Sequence, residues 1–247
     1  MDPKSYLTQI ILAYVHGCDA SVFHNRTYNS CGMRGSCMSG RQEIVSEFYE
    51  RFDEENRLGN SRCGQLEYLT SMHYIHKYVT SESKIIEIGA GTGRYSIALS
   101  KEGYDVTAVE LVQNNLDVLR KNSQSIDNIR SYLGDATNLD MVEDNAYDMT
   151  LALGPFYHLY DKNEVNKAID EAIRVTRKNG IIMGVFLSVY AILYSEYLNE
   201  GLKAGLEENF TMSDEDFNRF AKYHLATCET RENLGTSNHL IYFCRKK

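Results

Sequence analysis

No stretch of the 247-residue chain reaches the roughly 18 uninterrupted apolar residues that a bilayer-spanning helix needs. The segment Ile10-Ile11-Leu12-Ala13-Tyr14-Val15 faintly resembles a secretory core. It is too short, has one lysine ahead of it and lacks a small-residue cleavage site. Basic excess is missing as well: the net charge is −8 and the pI near 5.4. That argues against a surface built to neutralise phosphates with clustered Lys and Arg. Cysteine provides no framework. Cys18, Cys31 and Cys37 lie early, Cys63, Cys228 and Cys244 are scattered, and the spacings match no zinc pattern. Unpaired thiols and no metal are expected. No internal repeat or low-complexity segment is present. The expectation is a cytoplasmic protein of one decorated α/β domain, with no membrane partner, a nucleic-acid partner disfavoured, and a small-molecule or protein substrate.

What is present centres on Lys84-Ile85-Ile86-Glu87-Ile88-Gly89-Ala90-Gly91-Thr92-Gly93-Arg94, a short apolar strand running into a glycine-rich turn with a helix starting near Tyr95. Gly89, Gly91 and Gly93 let the backbone bend tightly and lie against a ligand with no Cβ in the way. The helix N-terminus behind them offers unpaired N–H groups and a positive dipole end. Such a loop suits a nucleotide-like cofactor. The spacing is G-x-G-x-G, not the G-x-G-x-x-G of dinucleotide folds. Glu87, two residues before the first glycine, is placed for a cofactor ammonium group, and Glu110, ending the next strand, for both ribose hydroxyls.

With these residues the sequence resembles the class I S-adenosylmethionine-dependent methyltransferase family, whose first motif is E-x-G-x-G-x-G and whose second strand ends in a ribose-binding acid. The resemblance runs from about residue 42 to 247. It implies S-adenosyl-L-methionine as cofactor and S-adenosyl-L-homocysteine as product. By the same resemblance Glu87, Gly89, Ala90, Gly91 and Gly93 hold the methionine part. Glu110 with Leu111 takes the ribose, Asp135 with Ala136 the adenine side, and Leu153 and Gly154 the sulfonium edge.

Residues 1–37 lack sustained periodicity, and Met33-Arg34-Gly35-Ser36 resembles the leader of an expression tag. They are set aside as a non-native N-terminal extension, with Met38 as the natural start. Residues 38–80 are expected to form a helical cap. Ile44, Val45, Phe48, Tyr49 and Phe52 share one helical face, and Leu66, Leu69, Met72, His73, Ile75, His76 and Val79 carry a second helix. Tyr49, Arg62 and Glu67 are candidates to reach the site. Beyond the glycine loop, strands at 105–110, 129–133, 147–153 and 181–187 alternate with helices at 95–101, 114–121 and 162–177. Gly180 is read as closing the last of these helices. Alternation at this spacing predicts a parallel sheet with helices on both faces. A helical insertion is expected at 188–225, its second helix opened by Ser213 in a capping-box-like arrangement with Asp216. Strands at 227–233 and 239–244, joined by too short a link for a parallel crossover, must be antiparallel. The fold class expected is therefore α/β: a Rossmann-like, seven-stranded, mostly parallel sheet with an antiparallel last strand and an N-terminal helical cap.

The groups named at strand ends converge on one crevice, since ligands of open α/β sheets sit outside the carboxyl ends of the strands. Methyl transfer is an in-line displacement on an activated carbon, so positioning supplies much of the catalysis. A base contributes where the acceptor loses a proton. His158 and Tyr157, just past the fourth strand, are the catalytic candidates. Tyr49, Tyr157, Tyr190 and His224 are candidates for substrate contact. His158 and His224 could equally be packing or capping residues, and the stripe Tyr190, Tyr194, Tyr197 is the pattern of a packed helix face. Gly154-Pro155-Phe156-Tyr157 sits where nucleic-acid amino-methyltransferases carry Asn/Asp-Pro-Pro-Tyr/Phe. Gly154 lacks the side-chain acceptor that holds the target amine, which disfavours base methylation. The expected activity is methyl transfer to a small-molecule acceptor. The alternatives are an NAD(P)-dependent oxidoreductase, a nucleic-acid amino-methyltransferase and a non-catalytic cofactor-binding protein. The sequence does not fix the oligomeric state, and a homodimer stays open.

Overall fold

A computed structural model describes residues 12–15, 37–49, 55, 58–59, 62–187, 213–230 and 239–247. In chain order the elements are β1 Leu12–Val15, α1 Cys37–Tyr49, α2 Arg62–Tyr78, β2 Lys84–Ile88, α3 Arg94–Lys101, β3 Asp105–Glu110, α4 Gln113–Ser123, β4 Ile129–Leu133 and β5 Tyr147–Ala152. A 3-10 turn, Pro155–Tyr157, follows, then α5 Lys162–Val175, β6 Thr176–Leu187, α6 Asp214–Thr227 and β7 His239–Arg245. The sheet runs β1-β7-β6-β5-β2-β3-β4. Strands β4, β3, β2, β5 and β6 are parallel; β7 is antiparallel to β6, and β1 to β7.

The order of strands places the site. From β2 the chain moves outward through β3 to β4, then returns to pair β5 on the other side of β2. The carboxyl ends of β2 and β5 thus flank the switch point, where crossover loops diverge and leave a crevice. The central strands are buried along nearly their whole length, as strands covered on both faces must be. Alternate residues feed two layers. Ile85, Val106, Met149 and Met183 pack with Met72, Ile75 and Leu99 from α2 and α3, while Ile86, Ile88 and Val109 pack with Ala168, Ala172 and Val175 of α5.

Several expectations need correction. Among the described residues six strands run from β2 to the C-terminus, and the seventh strand of the sheet is β1. Thr227 closes α6, residues 228–230 form a turn, and the rest of the expected 227–233 strand lies outside the described residues. Strand β6 starts at Thr176, so Arg177 and Lys178 are strand residues and Gly180 does not close a helix. The helix ends earlier because Thr176 Oγ1 donates to Ala172 O at 2.6 Å and shares a 2.6 Å hydrogen bond with Thr150 Oγ1 in the sheet. Helix α2 buries Met72, Tyr74 and Ile75 in the main core, leaving α1 as the element over the strand ends. Ile44 and Leu69, placed on the apolar faces, are 44% and 40% exposed. Most of the segment 1–37, the helix expected around Tyr190, Tyr194 and Tyr197, and the 231–238 link lie outside the described residues; β1, inside that first segment, pairs with β7.

The capping arrangement at Ser213 is present: its Oγ accepts from Asp216 N at 3.1 Å and lies 2.7 Å from Asp216 Oδ2. Ser213→Ala is expected to cost about 1 kcal/mol, read as a lower urea midpoint with an unchanged slope.

Candidate active site

The glycine loop is held in a shape only glycine adopts readily. Gly89, Gly91 and Gly93 have φ of 74°, 56° and 88°, all in the left-handed region. Gly89 N and Ala90 N both donate to Val109 O, at 2.8 and 3.0 Å, stitching the loop across the end of β3. Gly93 N donates to Ala90 O at 2.9 Å and closes the turn, and α3 starts directly behind it. A Cβ on Gly89 would lie 3.0 Å from Pro155 Cδ, and one on Gly93 2.7 Å from Leu119 Cγ.

Three carboxylates line the ends of β2, β3 and β4. Glu87 is 2% exposed, and its Oε2 accepts from Ser96 N at 2.9 Å and from Ser96 Oγ, which fixes it against the first turn of α3. The positive end of that helix favours its charge. Glu110 reaches back over the loop: Oε2 accepts from Gly91 N at 2.7 Å and Oε1 from Val112 N at 2.9 Å. Burial raises its pKa, against the pull of the N–H donors from Val112, Gly91 and Asn115. Asp135 Oδ1 accepts from Thr137 N and Thr137 Oγ1, both at 2.9 Å, and Oδ2 from Arg41 Nη2 of α1.

On the far side of the switch point, Gly154 follows β5 with Gly89 O 3.5 Å from where its Cβ would be. Pro155 opens the 3-10 turn, which ends by donating His158 N–H to Pro155 O at 3.0 Å. This turn aims His158 at α1, where Tyr49 Oη lies 3.0 Å from His158 Nε2 and the rings meet edge to face at 5.5 Å. Burial first, and then the nearby Arg41 charge, push the imidazole pKa down to about 4. His158 is therefore neutral at pH 7.

The sequence-predicted residues divide clearly. Glu87, Glu110, Asp135, the three glycines and Gly154 all stand at strand ends around one crevice, and Tyr49 and His158 meet beside it. Ala90, Ala136 and Leu153 are buried, each within a core cluster, while Leu111 is half-buried beside Glu110. Tyr157 packs against the main core next to His158. His224 does not join them. It is buried within α6 and shares a 3.1 Å hydrogen bond with Thr70 Oγ1, so it serves the α2–α6 contact. Arg62 also fastens these helices, through Asp214 at 2.6 Å and over the Phe217 ring at 4.8 Å. Glu67 is buried, and Tyr190 lies outside the described residues. Sequence reasoning missed Arg41, Thr137 and Glu164. Arg41 bridges residues 94 and 123 positions away, a separation that no local pattern reports.

A methyltransferase-domain family model matches residues 86–184, from β2 through most of β6. Residues 86–184 thus resemble a methyltransferase domain. A demethylmenaquinone methyltransferase of Paenarthrobacter aurescens is 34% identical over 127 residues, 49% of this chain and 47% of that protein. Another, of Clavibacter sepedonicus, is 27% identical over 59% of this chain and 56% of its own length. The chain thus spans about half the length of these curated relatives. Phosphoethanolamine N-methyltransferase 1 of Haemonchus contortus, solved with phosphoethanolamine and S-adenosylhomocysteine, shares the fold: TM-score 0.59, 14% identity, covering 89% of this chain and 51% of that one. The crevice between β2 and β5 is the candidate active site.

Proposed function

We propose that this protein transfers a methyl group from S-adenosylmethionine to a small-molecule acceptor. The observation carrying the reading is the left-handed glycine loop facing a buried carboxylate, Glu110, hydrogen-bonded to the Gly91 N–H at the switch point of the sheet. The residues fit the cofactor. A Cβ at Gly89 or Gly93 would crowd the loop's neighbours, and the carboxylates at the ends of β2, β3 and β4 offer acceptors of the kind that ammonium, ribose and adenine groups would need. Glu87 would hold the ammonium group, with the glycine loop and Ala90 along the methionine chain. Glu110 and Leu111 would hold the ribose, Asp135 and Ala136 the adenine side, and Leu153 and Gly154 the sulfonium edge. When bound, the cofactor supplies a methyl carbon already activated by its sulfonium.

The rest falls to the protein. Its loops orient the reactants, a contribution of about 7–11 kcal/mol in well-aligned systems. The neutral His158 imidazole, hydrogen-bonded to Tyr49, would orient an acceptor O–H or N–H for transfer. Relatives named for demethylmenaquinone and for glycine or sarcosine support a small acceptor. Gly154, with no side-chain acceptor, disfavours a flipped nucleobase.

Calorimetric titration tests the cofactor. S-adenosylhomocysteine is expected to bind at micromolar level, and NAD and NADP not at all. Glu110→Ala should weaken the homocysteine compound by about two orders of magnitude, since a hydrogen-bonded charged acceptor is lost from a buried site. Nicotinamide binding without affinity for S-adenosylhomocysteine would replace this reading with an oxidoreductase.

A further inference from the structure

Helix α1 is fastened to the crevice at two points. Near its start, Arg41 forks between two carboxylates: Nη2 donates to Asp135 Oδ2, and Nε to Glu164 Oε1 at 3.1 Å. Eight residues on, about 12 Å along the axis, Tyr49 meets His158. Asp135 follows β4, His158 follows the turn after β5, and Glu164 lies in the first turn of α5. One helix therefore ties together loops from both sides of the switch point.

The chemistry of the fork is specific. Arg41 and Asp135 side chains are 11% and 9% exposed and Glu164 26%, so the pairs are only partly screened by water. Without the guanidinium, two carboxylates would face a poorly hydrated space, a costly arrangement. A planar guanidinium can serve two carboxylates at once through different nitrogens, which a compact ammonium does poorly. Asp135 retains capacity beyond this clamp. A carboxylate offers about four lone-pair sites; Thr137 uses two and Arg41 one. The clamp and an adenine amine need not compete for it.

We propose that Arg41 is a positioning residue that clamps α1 over the crevice by bridging Asp135 to Glu164, so that exchange of the bound cofactor waits on release of this clamp. The proposal rests on the crevice being the cofactor site. It predicts a kinetic role for a side chain outside the cofactor-binding loop.

The test uses wild type, Arg41→Gln, Glu164→Gln, the double variant and Arg41→Lys. In ligand-free protein, Arg41→Gln should speed amide hydrogen exchange across α1 by about ten-fold or more while leaving α3 and α4 protected. In stopped-flow displacement, S-adenosylhomocysteine should dissociate about 10- to 100-fold faster from Arg41→Gln, in the range expected for truncating a buried charge pair. The double variant should be scarcely faster than Arg41→Gln, because both substitutions open one bridge, and Arg41→Lys should not restore the slow rate. A purely structural arginine would lower the melting temperature and leave the dissociation rate unmoved. Wild-type dissociation from Arg41→Gln, or unchanged α1 protection, would overturn the clamp. If S-adenosylhomocysteine fails to bind wild type, the cofactor reading falls, while the exchange measurement still decides whether Arg41 holds α1.

Discussion

Alanine at Gly93 is expected to lower the melting temperature by roughly 6–12 °C and to remove S-adenosylhomocysteine binding. Two costs add. The residue sits at φ 88°, ψ 24°, where an L side chain pays ~1–2 kcal/mol. Its new methyl would also lie 2.7 Å from Leu119 Cγ and 3.1 Å from Ile97 Cδ1. Leu119 is fully buried, so it cannot swing aside, and overpacking of this kind costs ~1–3 kcal/mol. The sum is about 3 kcal/mol, and a chain of this size loses ~2–4 °C per kcal/mol. Binding suffers because α3 and the loop must shift together. Gly154→Ala is the internal control: its φ is −125° and the added Cβ meets only Gly89 O at 3.5 Å, an ordinary contact. That variant should melt within about 1 °C of wild type, as substitutions free of strain usually do. Calorimetric scans with matched titrations check both. A Gly93→Ala protein melting like wild type would show that the loop does not depend on the left-handed turn.

The same glycines explain why the site's frame was legible in the sequence. A turn that requires positive φ leaves glycines at fixed spacing, and a parallel strand buried on both faces leaves an unbroken apolar run. The strand read at 105–110 coincides with β3, buried along almost its whole length, and that at 129–133 with β4, an edge strand exposed at three of its five residues. The acids ending β2 and β3 were legible for the same reason, because strand ends in this topology point at ligands. Errors arose where two local signals compete. Arg177 and Lys178 look like charges complementing a helix C-terminus, yet Thr176 turns the chain into β6 and Arg177 pairs with Asp148. His224 faces the α2–α6 contact instead, because the start of the strand expected behind it, residues 227–230, is the end of α6 and a turn. The meeting of Arg41 with Asp135 and Glu164, and of Tyr49 with His158, depends on how α1 docks. Docking is set by tertiary packing and leaves no periodic trace.

His158→Ala is expected to slow transfer by about 10²-fold with its true acceptor, toward the lower end of what a positioned proton acceptor contributes. The reason is the depressed basicity. An imidazole pushed down to about 4 is neutral across the physiological range but a weak base, so it orients an acceptor O–H or N–H better than it drives proton removal. The pH profile should carry the same mark. Activity attributable to His158 should stay level from pH 7 to about 5 and fall as the pH approaches 4, with no limb near the ordinary histidine value of about 6.5. Stability should follow in the same direction. Between about pH 6.5 and 4 the unfolded chain binds a proton here that the folded protein refuses, so the folded state loses ground as the pH falls. The difference amounts to about 3 kcal/mol once the pH is below 4, as ~1.4 kcal/mol per pKa unit. His158→Gln, which keeps a polar group near Tyr49 but cannot titrate, should flatten that part of the stability curve. Denaturant midpoints at pH 7, 6, 5 and 4.5 for the two proteins would show it. Parallel curves would mean that His158 is hydrated and titrates normally, and its role as a neutral, oriented acceptor would then be lost.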